Sequence, residues 1–311
     1  MLILYIFIVL ALAVLIACRV CYSIAFRSPD KGQNELHRIP RGPQYVPYHD
    51  ELLRLIDAFA ALPYEPVSIV SQDELELRGK YFHVLDGAPL CICCHGYRGL
   101  GYRDFCGGAP MLMELGFDLL LIDERAHGDS QGHCLTMGVK ERFDVLSWIE
   151  YARCRFGEDV PIVLCGVSMG AATVLMASGL ELPENVKGIL ADCPYSNAPD
   201  IIRKGIADRG LPPWLLYPFV ALSARLCGGF RLEDGNAAEA VKRSPVPIVI
   251  VHGEDDRFVP CDMSRAIAAE CPENVTLHTF PDAGHGMSGI VDPPRYRSIL
   301  RDLAERLGLT R

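Results

Sequence analysis

The strongest chemical signature in the chain is Gly166-Val167-Ser168-Met169-Gly170. An apolar run suited to a buried strand (161–165) precedes it, and small and apolar residues suited to a helix continue to 179. Glycines two positions either side of a serine suit a sharp, strained turn that holds the serine Oγ in the open. A side chain at Gly166 or Gly170 would crowd the neighbouring elements. Met169 opens the helix, so its free N–H is placed to meet a developing oxyanion. A serine hydroxyl is a poor nucleophile at neutral pH and needs a base within hydrogen-bond reach.

This strand–turn–helix resembles the nucleophile elbow of the α/β-hydrolases, and other segments resemble that superfamily in the expected order. His95-Gly96-Tyr97-Arg98-Gly99 stands where these proteins keep the loop after the third strand. The resemblance assigns the Tyr97 N–H to one half of an oxyanion hole and the Met169 N–H to the other. His95 then holds the turn, and Arg98 is a loop charge that could meet an acidic substrate group. Residues 123–132 resemble D-x-R-G-H-G-x-S-x-G, with Ala126 replacing a common glycine. Asp123, Arg125 and His127 are expected to tie that loop beside the site. His252-Gly253-Glu254-Asp255-Asp256-Arg257-Phe258-Val259-Pro260 resembles H-G-x-x-D-x-x-V-P, which places the acid on Asp256. Asp282-Ala283-Gly284-His285-Gly286 resembles the histidine loop, which makes His285 the base. Asp192, at the C-terminal end of another strand, is the reserve acid. The implied chemistry is acyl transfer through a serine ester: His285 takes the Ser168 proton, and Asp256 holds the imidazole tautomer. It needs no metal and no cofactor.

These residues must be positioned by strands and helices in alternation. Alternating residues at 67–70 and 75–84 predict an antiparallel start to a sheet. Apolar runs at 90–94, 117–122, 161–165, 186–190 and 247–251 predict buried strands, and 275–280 the last one. Helices are expected at 49–61, 105–115, 139–151, 264–270 and 296–307. Each candidate residue follows a strand, so all fall at one edge of a mostly parallel sheet. The fold so implied is the α/β-hydrolase fold, with an eight-stranded sheet flanked by helices. Residues 196–245 exceed what the sheet needs, with helices expected at 201–209 and 217–226. The resemblance makes them a short helical cap over the active site.

Residues 1–18 form an apolar stretch of eighteen residues without a charged side chain, near the minimum for a membrane-spanning helix. A cleaved signal peptide normally begins with a basic region, which is missing here. Arg19, Arg27, Lys31, Arg38 and Arg41 follow the stretch, and the positive-inside rule then puts the catalytic domain in the cytoplasm. The first reading is a single-pass anchor. A secreted protein and a lipoprotein anchored at Cys18 are the alternatives. The organisation expected is an anchor and flank (1–27), a linker and leading helix (28–64), whose polar, proline- and glycine-rich part at 28–47 reads as a linker or a surface-hugging arm, and a catalytic domain (65–311).

Thirteen cysteines, several in apolar strands, fit buried thiols in a reducing compartment better than a disulfide scaffold. A net charge of −9 without a basic stripe argues against a nucleic-acid partner. The expected partners are a small acyl ester, with an apolar portion, and a membrane. The activity expected is carboxylic ester hydrolysis. Peptide or thioester cleavage on the same residues, and a membrane-tethered binding protein without catalysis, remain open alternatives.

Overall fold

In the computed structural model, which describes residues 1–28, 36–40 and 42–310, eight strands form one sheet in the order β1-β2-β4-β3-β5-β6-β7-β8. They are β1 (Glu65–Val70), β2 (Glu76–Phe82), β3 (Leu90–Cys94), β4 (Asp118–Ile122), β5 (Ile162–Val167), β6 (Val186–Asp192), β7 (Ile248–Gly253) and β8 (Val275–Phe280). Strand β2 runs antiparallel to β1 and β4, and the remaining pairs are parallel. Lys31 and Arg41 of the basic flank lie outside the described residues.

Every residue of β3, β4, β5 and β7 is buried. Parallel strands covered on both faces need apolar side chains on both, which is why they read as continuous runs. The pleat then sends alternate residues to opposite cores. Leu90, Ile92 and Cys94 face one core, and Cys91 and Cys93 the other.

The helices are α1 (Leu2–Ala25), α2 (His49–Ala60), α3 (Gly101–Asp104), α4 (Ala109–Glu114), α5 (Glu141–Phe156), α6 (Met169–Ser178), α7 (Ala198–Ala207), α8 (Pro213–Ser223), α9 (Ala237–Ala240), α10 (Cys261–Glu270), α11 (Ser288–Val291) and α12 (Pro293–Arg306). Helices α5 and α6 supply the first core, and α4 and α12 the second. The helix expected over 105–115 is instead two short pieces, broken around Gly107 and Gly108. A Cβ on Gly107 would stand 2.7 Å from the end of the Ile290 side chain, which would have to shift to admit a larger residue.

Four helices, α7, α8, α10 and α12, begin earlier than their apolar spacing suggests. Helices α7, α8 and α12 each carry proline in the first turn. Proline has no N–H to lose there and its φ already suits a helix, so it opens these helices rather than delaying them. Asn197 and Asp292 cap two of them by accepting from the N–H of Asp200 and Arg295.

Helix α1 ends packed against the body that carries the sheet. Residues 2–16 of the helix are exposed, whereas Cys18, Tyr22 and the following Phe26 are buried. Phe26 meets Phe230 edge-on at 5.2 Å, and its carbonyl accepts from the Leu135 N–H at 2.8 Å. Helix α1 also packs along α8.

Candidate active site

Ser168 sits between β5 and α6 with φ +56°, in the left-handed region that side chains other than glycine rarely adopt. The close packing around it explains the two flanking glycines. A Cβ on Gly166 would lie 2.3 Å from the Gly170 carbonyl oxygen, and one on Gly170 would lie 2.0 Å from that of Cys94. The Ser168 N–H donates to the Asp192 carbonyl at 2.8 Å, fastening the turn to the end of β6.

Ser168 Oγ lies 2.9 Å from Nε2 of His285, and His285 Nδ1 lies 2.6 Å from Oδ2 of Asp256. A carboxylate only accepts, so Nδ1 carries the proton and the neutral ring presents Nε2 as acceptor to the serine hydroxyl. The other Asp256 oxygen accepts from the N–H groups of Phe258 and Val259 at 2.8 and 2.9 Å. Burial alone would raise the Asp256 carboxyl. The neighbouring His285 charge and the hydrogen bonds from His252 and His285 outweigh it and hold the group well below the carboxylate range. For His285, burial opposes the charged ring, but Asp256 with Asp192 and Asp104 raises it above the ordinary histidine value. The site thus favours an imidazolium once a proton reaches the ring.

Asp192, the reserve acid, accepts from the Tyr296 hydroxyl at 3.3 Å, while His285 bonds Asp256. Burial pushes the Asp192 carboxyl up to about 6. Cys193, Asp256 and His285 bring donor atoms within 4.8 Å of one another, close enough to consider a cation. However, burial pushes the Cys193 thiol up and keeps it protonated, and the Asp256 and His285 atoms are engaged with each other. That donor set suits proton transfer better than metal binding.

The Tyr97 loop closes on Ser168 so tightly that a Cβ on Gly96 would stand 3.2 Å from the Ser168 Cβ. Its shape is held from three sides. Asp104 accepts the Gly96 N–H at 2.8 Å, and His127 Nε2 accepts the Arg98 N–H at 2.9 Å. His95 Nε2 accepts the Glu124 N–H at 3.1 Å, joining this loop to the one after β4. Arg125 anchors that second loop through Asp144 at 2.6 Å and Asp73 at 2.9 Å, and Asp123 meets Lys80 at 3.3 Å. Ala126 takes φ +64°, which explains why glycine is the easier residue there. The third side is helix α1. The Tyr97 hydroxyl donates to the Ala25 carbonyl at 2.7 Å, and Arg98 donates to the carbonyls of Ile24 and Arg27 at 2.8 and 3.2 Å. Arg98 therefore serves the helix end instead of reaching for a substrate.

A cavity of about 120 Å³ opens over Ser168 and His285. Its apolar wall is Ile39, Pro40, Tyr45, Leu52 and Ile56, and its polar residues include Arg103 and Asp104. The insertion at 196–245 is helical, as expected, but none of its residues lines this cavity. The polar arm and leading helix cover it instead. Tyr45 donates to the His285 carbonyl at 3.1 Å and ties the arm to the site. The segment's proline and glycine content fits a linker and a surface-hugging arm alike, and the apolar Ile39 and Tyr45 within it are a signal for the second.

A sheet of this order, with a serine on a strained turn after β5 and a histidine after β8, defines an α/β-hydrolase fold. The chain belongs to the alpha/beta hydrolase family, whose model matches residues 91–297. It is 22% identical to the Bacillus subtilis protein YqkD over 81% of this chain and 83% of that one. It is 28% identical to YfhR of Salmonella typhimurium over 76% of this chain and 79% of that one. Among solved structures, the Pyrococcus furiosus esterase Pf2001 superposes with a TM-score of 0.65 at 23% identity, covering 86% of this chain and 96% of that one. Est1E from Butyrivibrio proteoclasticus, with ferulic acid bound, gives a TM-score of 0.58 at 21% identity over 78% and 98% of the two chains.

Proposed function

We propose that the protein is a membrane-anchored serine hydrolase that cleaves a carboxylic ester through an acyl-enzyme. The observation that carries this reading is the hydrogen-bond series Ser168–His285–Asp256 in the wall of an apolar cavity. His285 Nε2 accepts the Ser168 proton as Oγ attacks the ester carbonyl. The tetrahedral oxygen is met by the N–H groups of Tyr97 and Met169, each such donor being worth about 3–4 kcal/mol in the transition state. The imidazolium, stabilised by Asp256, then protonates the leaving alkoxide. Water activated by the same nitrogen releases the acid.

An ester fits better than a peptide. An aminopeptidase would need a free carboxylate for its substrate's amine, and Asp104 in the cavity already holds the Gly96 N–H and meets Arg103 at 3.3 Å. The structural neighbours named as esterases favour the same choice.

Helix α1 is long and apolar enough to cross a bilayer. Retention of this helix is favoured over cleavage because Tyr22 and Phe26 fill the core and Ala25 accepts from Tyr97. Arg19, Arg27 and Arg38 favour a cytoplasmic catalytic domain.

The test is fluorophosphonate labelling of the full-length protein in detergent beside Ser168→Ala, followed by p-nitrophenyl esters of rising chain length. Labelling lost in the variant, with ester turnover, is the expected result. A folded wild type that takes no label and turns over no ester favours a binding protein. Faster cleavage of thioester or peptide substrates would move the assignment to those classes.

A further inference from the structure

Helix α8, Pro213-Trp-Leu-Leu-Tyr-Pro-Phe-Val-Ala-Leu-Ser223, is apolar on nearly every side, yet only Val220 and Ser223 are buried. Such a composition belongs in a core, between protein layers or against lipid. Trp214 is 79% exposed, and Leu211, Leu215 and Leu226 are exposed around it. Outside α1, few other large apolar side chains are exposed among the described residues. This patch adjoins the apolar helix, since α8 and the turn after it (Ala224–Gly228) both pack on α1.

The charge around the patch points the same way. From 209 to 231 the chain carries Arg209, Arg225 and Arg231 and no acidic residue, in a protein of net charge −9. Arg19 on α1 is exposed, as are Arg209 and Arg225, and none of these three stands in a salt bridge among the described residues. An exposed apolar ridge bearing tryptophan and flanked by arginines without a carboxylate partner among the described residues has the make-up of an interfacial element on anionic lipid.

We infer that α8 lies on the surface of an anionic bilayer, with Trp214 at the headgroup boundary, as a second membrane contact beside α1. The inference rests on the reading that α1 spans the bilayer. Two contacts fix the orientation of the domain, which a single helix leaves free to rotate about its axis. Because the covalent anchor already supplies attachment, the role of α8 is to hold the catalytic domain in one pose against the surface that delivers its substrate.

Trp214 is also a ready reporter, because the only other tryptophan, Trp148, is fully buried. Full-length protein would be reconstituted in phosphatidylcholine vesicles, with and without phosphatidylglycerol, whose acyl chains carry bromine close to the headgroup. Flotation with the vesicles reads α1, and tryptophan quenching reads α8. The expected result is bromine quenching that is lost in Trp214→Phe, increased by phosphatidylglycerol and reduced in Arg209→Glu/Arg225→Glu. Turnover of a soluble ester by Trp214→Phe checks that the variant is folded. Protein that floats while Trp214 stays open to aqueous iodide overturns the inference and leaves the anchor intact. Protein that fails to float overturns both. Iodide protection without bromine quenching, in a chain that runs as a dimer, assigns the face to a second copy instead. Quenching indifferent to phosphatidylglycerol removes the anionic requirement.

Discussion

The hydroxyl of Tyr97 donates to the carbonyl of Ala25 at 2.7 Å, so the loop over Ser168 is fastened to the last turn of the N-terminal helix. Arg98, the next residue, binds two more carbonyls at the same helix end. Late carbonyls of a helix have no partners within it and attract donors and cations. The helix thereby acquires a C-terminal cap, and the loop acquires a fixed post outside the sheet.

Tyr97→Phe keeps the ring and removes that one bond. A hydrogen bond of this kind contributes about 0.5–1.5 kcal/mol. If it positions the Tyr97 N–H for the transition state, kcat should fall about three- to tenfold with KM little changed. Steady-state kinetics of the full-length protein read this directly. A variant with unaltered kcat would show that the loop keeps its shape without the helix.

Phe26→Ala removes a fully buried ring that meets Phe230 at 5.2 Å. Truncations of this size in a core cost about 3–5 kcal/mol. Denaturant unfolding in detergent should show a loss in that range, and removal of residues 1–27 a larger one. A truncated domain as stable as the full chain would mean that the helix end packs without contributing to the core.

The pH profile separates the two carboxylates. The proposed base works unprotonated, and nearby carboxylates raise His285 above the ordinary histidine value, so kcat/KM should fall as pH drops through that raised value. Asp192→Asn removes one of those charges while leaving an oxygen for Tyr296. Its acid limb should move to lower pH and its plateau should stay. Asp256→Asn should lower the plateau about 10⁴-fold, because the amide cannot hold the same tautomer. If Asp192→Asn is the variant that loses the plateau, Asp192 is the acid.

The thiols give a check on the packing. Burial raises the core thiols Cys91, Cys94 and Cys193 well above the ordinary value, and only Cys154 and Cys227 are exposed. A charged maleimide should therefore label the native detergent-solubilised protein fastest at those two positions, more slowly at the half-buried Cys21 and Cys134, and at the buried thiols only on unfolding. Rapid modification of Cys91 or Cys193 would mean that the sheet opens far more readily than its packing implies.

The strands were legible because buried parallel strands demand unbroken apolar runs, and β3, β4, β5 and β7 have them. The glycines at 166 and 170 were legible because backbone lies about 2 Å from where a Cβ would stand. Other features left weaker marks. Pro213 and Pro293 look like breaks in a helix but sit where proline is best tolerated. The bond from Tyr97 to Ala25 joins residues 72 apart in the chain, and no local pattern encodes it. Apolar spacing revealed α8 but could not say whether its face met a substrate, a lipid surface or the core.

The arm, described at 36–40 and 42–48, was the hardest to read, because polar and proline-rich chain looks the same whether it links domains or covers a cavity. Its covering role makes an outcome testable. Leu52 and Ile56 project from α2 into the cavity beside Ser168 together with Ile39, whereas the 196–245 insertion contributes none of the lining. Leu52→Ala deletes three carbon atoms from that wall and should enlarge a space of about 120 Å³ enough to admit a longer acyl chain. The optimum on a p-nitrophenyl ester series should therefore move to longer chains, with kcat/KM for the original best substrate falling about tenfold as contacts are lost. Leu211→Ala, in the insertion, should leave the optimum where it was when measured in detergent. The opposite pair of results would place the acyl chain under the insertion and make the arm a spectator.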